Sequence, residues 1–215
     1  MEKYWKYIVF AAIGSAAVLL YPEVFAQKDE LSERPHGDPG SFELRIEADK
    51  SEYAVGEQPR FTAILTNTTD DAVMLARPMD GSDFGRFPQF MWTVTAPEDA
   101  HALEPVGRCG NTNPITTGVF FSLPAGESVE LSGAWGGVSA HALDRGPGRY
   151  TIQVVYSTDS EDAHGWIGGP LGDREARRLN REIAPLLAQV PRITVTSNVL
   201  EIQFHEPAIA KSEHL

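Results

Sequence analysis

From Phe42 onward the chain alternates apolar and polar residues with a period of two. Phe42, Leu44, Ile46 and Ala48 interleave with Glu43, Arg45 and Glu47, the pattern of a strand with one buried face. The same pattern recurs along the chain. Residues 60–66, with Phe61, Ala63 and Leu65 on one side, predict a second strand, and residues 72–76 a third. Residues 89–96 (Phe90, Trp92 and Val94 in alternation), 115–123, 127–131, 148–156, 193–196 and 198–204 predict the others. Turn residues separate them: Gly56 within Glu52–Glu57, the polar run Asn67–Asp71, and Pro124-Ala-Gly126. Residues 77–88, 97–114 and 136–147 read as loops, the last with a short helical turn at 139–143.

Only one stretch has helical spacing. Ala176, Leu179, Ile183 and Leu186 or Leu187 recur on one face, and Asp173 is placed to cap it, so a helical insertion is expected at about 172–190. Pro185 lies inside that pattern and is expected to kink or end the helix. Short strands separated by turns, with a single helical insertion, predict an all-β fold: an antiparallel β-sandwich of the immunoglobulin-like kind. With one helix visible, a parallel α/β sheet is disfavoured.

The first residues follow a different logic. Lys3 and Lys6 precede an uncharged run at 8–21, too short for the roughly 20 residues that cross a bilayer. Pro22 and Glu23 end it, and Val24-Phe25-Ala26 presents small or β-branched residues before Gln27. Residues 1–26 therefore read as a signal peptide, a signal helix cleaved after Ala26. The alternative is an uncleaved membrane anchor. Residues 27–41 are polar and rich in Pro and Gly, the composition of a flexible linker, or of a stalk if the anchor stays. The domain then spans 42–206, with a frayed tail at 207–215. The destination is periplasmic or extracellular.

Charge narrows the partners. The chain carries a formal net charge of −12. Loss of Glu2, Lys3, Lys6 and Glu23 with the signal would leave that value unchanged. No basic footprint for nucleic acid or an anionic membrane surface is present. Cys109 is the only cysteine, so no intramolecular disulfide can form, and a neighbouring Arg108 leaves either a reactive thiol or a quiet loop residue.

Candidate chemistry is sparse. There is no G-x-S-x-G elbow, P-loop, dinucleotide fingerprint or H-E-x-x-H pair. The six histidines are scattered, with only His101, His141 and His164 sharing predicted loops, and no metal or other cofactor is assigned. Asp80–Asp83 and Asp159–Asp162 are short acidic runs, neither with the six or more oxygens a hard cation needs. Asn67-Thr68-Thr69 matches a glycosylation sequon at a position where a turn also wants Asn. Aromatics are the remaining signal. Phe84, Phe87, Phe90 and Trp92 gather around one loop and strand, and Trp166 lies in a Gly-rich loop beside the helical insertion. Trp166, Phe84 and Phe87 are the candidate binding residues; the competing reading of Trp166 packs it under the inserted helix. The function expected is non-enzymatic: an accessory module binding another envelope or secreted protein.

Several of the turns carry a resemblance. Tyr53-Ala-Val-Gly56-Glu57, the strand at 60–66 and Asn67-Thr-Thr-Asp-Asp-Ala-Val73 resemble the opening of bacterial immunoglobulin-like domains. Leu123-Pro-Ala-Gly126-Glu127-Ser128, Trp135 and Pro147-Gly148-Arg149-Tyr150-Thr151 are similar to the turns of the BsuPI-type (intracellular proteinase inhibitor) family. The likeness covers 42–156 and 193–204 and implies a sandwich fold. As an alternative function it implies a protease inhibitor, for which the segment 103–116 is the candidate inhibitory loop. No inhibitory residue of the family can be matched here, and the segments 97–114 and 157–192 are longer than such a domain needs.

Overall fold

Alternation of apolar side chains gives ten strands among the residues described by the computed structural model, which are 34–83, 86–96, 113–131, 146–160, 164–167 and 181–206. They are β1 (Phe42–Ala48), β2 (Glu52–Ala54), β3 (Phe61–Asn67), β4 (Val73–Ala76), β5 (Gln89–Thr95), β6 (Phe120–Leu123), β7 (Ser128–Glu130), β8 (Gly148–Ser157), β9 (Thr194–Thr196) and β10 (Leu200–His205). Three sheets result. One has the order β1-β3-β7; the second runs β2-β10-β8-β5, with β9 also on β8; the third is the pair β4-β6. All pairings are antiparallel except β2 on β10, which is parallel. Thus Glu52–Ala54, expected to be part of a turn, is a short strand bonded to the edge of β10.

The first two sheets bury their inner faces in one cluster. Phe42, Leu44, Ile46, Ala63 and Leu65 from the first meet Tyr53, Phe90, Tyr150, Ile152, Val154, Ile202 and Phe204 from the second. Tyr150 and Tyr53 both pack on Phe204, with ring centroids 5.3 and 5.5 Å away. The Tyr53-to-Glu57 corner is fixed by its own residues. Gly56 takes φ +90°, which a side chain would resist. Glu57 accepts from the Ala54 N–H at 3.1 Å and pairs with Lys50, while the Tyr53 hydroxyl donates to Asp49 at 2.5 Å.

Asn67 serves the same end at the next corner. It is fully buried, and its Nδ2 donates to the carbonyls of Asp71, Leu123 and Pro124 at 2.8, 3.0 and 3.1 Å. Its Oδ1 accepts from the Thr69 N–H and hydroxyl. The sequon is therefore a turn in this fold, and its amide nitrogen is already engaged.

A second, smaller cluster holds the helical insertion. Ala76, Met79, Ile115, Trp166, Ile183, Leu187 and Val190 pack together there. The helical residues described are α1 (His164–Ile167) and 181–187. Pro185 does not end the helix: residues on both sides of it are helical, and the Ala188 N–H still reaches the Ala184 carbonyl at 2.9 Å. Gln189 donates to the Pro185 carbonyl at 2.8 Å and closes the last turn.

The linker expectation needs correction over residues 34–41. Arg34 is 2% exposed and donates to the carbonyls of Val190 (3.0 Å), Thr158 (3.0 Å) and Ser160 (3.2 Å). His36 forms a parallel bridge with Arg192, and Pro39–Ser41 is a 3-10 turn leading into β1. Polar composition suggested a loose segment, yet one guanidinium supplies donors to three inward carbonyls and ties the segment down. Residues 27–33 and the tail from 207 lie outside the described residues, as do the first 26.

Candidate functional site

Of the expected aromatic binding residues, Trp166 is not at the surface. Trp166 is fully buried in the second cluster, packed with Ile183, Leu187 and Val190 below the helical segment. Phe87 stacks on its ring at 5.9 Å, and the Arg34 guanidinium lies 5.0 Å from the ring centroid. Arg86, 6% exposed, donates to the Trp166 carbonyl at 3.2 Å. Burial lowers the pKa of both arginines, that of Arg34 to about 10. Flanking glycines suggested a mobile, exposed tryptophan; instead a stacked phenylalanine and a guanidinium enclose it. The buried Trp166 agrees with the reading that packs it under the inserted helix rather than at a binding surface, and Phe87 is half-buried against it. Phe84 lies outside the described residues, as do Cys109, Trp135, His101 and His141. So does most of the candidate inhibitory segment, up to residue 112.

The acidic runs have partners in the fold. Asp159 forms an ion pair with Arg192 at 2.7 Å, and Asp80 accepts from the Asn113 N–H at 3.4 Å. Among the described residues no three His, Cys, Asp or Glu side chains are grouped to hold a metal ion.

One open cavity combines exposed polar side chains with backbone groups that have no partner among the described residues. It has a volume of about 480 Å³ and lies between β1 and the junction of β9 with β10, lined by Phe42, Glu43, Leu44, Arg45, Thr196, Ser197 and Asn198. Register explains why it exists. Val155 pairs with Thr196 and Ile152 with Leu200, three steps on β8 against four on its partner. One extra residue is therefore bulged out at 197–199, and the strand changes course there. Ser197 holds the bulge together. Its hydroxyl accepts from the Val154 N–H at 2.9 Å and donates to the Asn198 carbonyl at 2.7 Å, and its own N–H reaches the Val154 carbonyl at 2.9 Å.

The bulge throws the Asn198 side chain across to the other sheet. Its Oδ1 accepts from the Ile46 N–H at 2.8 Å and its Nδ2 donates to the Ile46 carbonyl at 3.3 Å. A side-chain amide here does the work of one residue of a neighbouring strand.

Those bonds fix which way β1 faces. Ile46 points its backbone groups away from β3, and its opposite residue Ala63 gives its carbonyl to Leu131 on the far side. Alternation then directs the Leu44 N–H and C=O and the Phe42 C=O into the groove, while Glu43 and Arg45 bond to β3. The Phe42 N–H is taken by the Pro39 carbonyl. On the opposite wall, Ser197 bonds inward to Val154 of β8 and Ile193 to Thr158 just beyond it, so Thr196 directs its backbone outward. The groove is thus a gap between two strand edges, closed at one end by Asn198. Its rim carries the exposed charges of Glu43 and Arg45, the latter 3.1 Å from Glu47.

Sequence reasoning missed this site. Its makers, Ser197 and Asn198, appear in sequence only as a break between two strand-forming runs; their roles depend on register. Comparison of the chain with protein-family models, curated proteins and solved structures gives no match in any of the three.

Proposed function

We propose that this chain is an exported, non-enzymatic, immunoglobulin-like β-sandwich module that binds another envelope or secreted protein, and that it does so at the groove between β1 and β9. The observation that carries this reading is the open strand edge at Leu44 beside the charged pair Glu43 and Arg45. Backbone donors and acceptors left unpaired next to a solvent-open cavity are a ready interaction surface. The groove offers little to catalysis. Its one hydroxyl deep in the wall, on Ser197, is engaged as both acceptor and donor. The lysine-flanked apolar run at 8–21 supports export, and the Tyr53-to-Glu57 and Leu123-to-Ser128 corners support the kinship with BsuPI-type sandwiches.

The test is site-specific photo-crosslinking in the native envelope. A crosslinker at Glu43 or Thr196 is expected to trap one defined protein, identified by mass spectrometry, and one at the exposed Glu201 of β10 is not. That protein, once purified, is expected to bind the full chain in solution. Equal adducts at all three positions, or none at 43 and 196, would sink the reading.

A further inference from the structure

We infer that the partner enters the groove as an extended segment, adding to β1 as an antiparallel strand with an acidic, an apolar and a basic residue in succession. The inference rests on the groove reading above and names the chemistry of its occupant.

The backbone sets the direction of the argument. Three groups of β1 that face the groove have no partner among the described residues: the Leu44 N–H, the Leu44 carbonyl and the Phe42 carbonyl. An antiparallel strand satisfies all three with two residues. The one opposite Leu44 exchanges both bonds with it, and the one two positions later donates to Phe42. Antiparallel pairing is also slightly the stronger arrangement per residue. Asn198 shows that this edge accepts a planar amide: its side chain already binds Ile46 as a peptide unit would. The same side chain stops the added strand, whose N-terminal end must turn away before Ile46.

Side-chain alternation sets the sequence. The residue opposite Leu44 turns toward the core side, where Phe42 and Leu44 are buried, and is apolar. Its two neighbours face outward, about 5 Å from the side chains they oppose. Running antiparallel, the preceding residue lies opposite Arg45 and the following one opposite Glu43. An acid before and a base after therefore complement the rim. A parallel strand would require the reverse order, so peptide sequence reads out direction.

Three synthetic ten-residue peptides with Thr-rich flanks test this by fluorescence anisotropy on the purified full chain. The first centres on Glu-Val-Lys, the second on Lys-Val-Glu, and the third repeats the first with the Val nitrogen methylated. The first is expected to bind, the second roughly tenfold more weakly, and the third not measurably. The double variant Glu43→Arg/Arg45→Glu, whose positions are exposed, is expected to keep its melting temperature and to prefer the second peptide. If the methylated peptide binds as well as its parent, no strand is added and the inference fails. It fails equally if no peptide binds while crosslinking at 43 and 196 still traps a partner; the groove then binds by side chains, and the reading of function survives. Loss of both signals removes the inference and that reading together. Glu43 and Arg45 would then serve only to keep the edge from pairing.

Discussion

Single side chains close this structure by imitating backbone. Asn198 does so on β1, and the Tyr156 hydroxyl on β4, where it donates to the Ala76 carbonyl at 2.8 Å and accepts the Ala76 N–H at 3.4 Å. Burial of that phenol raises its pKa. Substitution of Asn198 by Ala removes both partners of Ile46. A loss of about 1–3 kcal/mol is expected in denaturant unfolding, because a desolvated donor and acceptor are left without a partner. The Ile46 amide should then exchange with solvent faster, a change that simple loss of packing would not confine to one position. Arg34 acts on the same scale with more at stake. Arg34→Met removes the guanidinium bonds to the carbonyls of Thr158, Ser160 and Val190, of which that of Thr158 keeps the Ser160 N–H, and about 3 kcal/mol of destabilisation is expected. Titration adds a further check at the Asp49 corner. Its bond from Tyr53, and next the one from the Arg60 N–H, hold the Asp49 carboxyl below its ordinary 3.8. The bond from Lys50 lowers that of Glu57 in the same way. A depressed carboxylate contributes stability above its unfolded pKa and loses it as pH falls through the folded value. Thermal melts of the wild-type chain and of Asp49→Asn should therefore differ at pH 6 and converge as the pH falls below the ordinary carboxylate range.

Elements were legible in sequence where one face is buried and the other wet. β1, β3, β5 and β8 announce themselves by alternation, and the structure places them within a residue or so of expectation. The turns at Gly56 and Gly126 were legible for a backbone reason, since both take positive φ. Three things were not. β2 is a three-residue strand whose partner, β10, lies about 150 residues away in the chain; no local pattern encodes that pairing. The β9–β10 bulge is a matter of register and left only a gap between two apolar runs. The choice between a surface Trp166 and one packed under the inserted helix was open in sequence because glycines surround it, whereas its burial depends on Arg34 and Phe87, remote in sequence. Replacing Trp166 by Ala is expected to cost about 3–5 kcal/mol, as for other large core truncations. Peptide binding at Leu44 should persist under conditions where the variant remains folded, since Trp166 does not line the groove.

At the scale of the whole molecule, an acidic β-rich domain follows a segment proposed to direct export. The chain carries a formal net charge of −12, and no helix among the described residues is long and apolar enough to cross a membrane. If residues 1–26 are removed on export, N-terminal sequencing of the protein from the envelope fraction should begin at Gln27. Full-length chain in the cytoplasm would contradict export, and full-length chain in the membrane fraction would point to a retained anchor. In the retained case the domain sits close to the bilayer. Arg34 is clamped into the fold, so residues 22–33 separate it from the apolar run at 8–21, a reach of roughly 40 Å when extended.

The central claim is that β1 presents an unpaired edge at Leu44. Amide hydrogen exchange, read residue by residue by NMR on the free protein, tests it most directly. Glu43 and Arg45 bond to β3 and Ile46 to Asn198, so their amides should be protected; the Leu44 amide between them should exchange far faster, and become protected when the Glu-Val-Lys peptide is added. A Leu44 amide as slow as its neighbours in the free protein would mean that the edge is already covered, and would contradict the account.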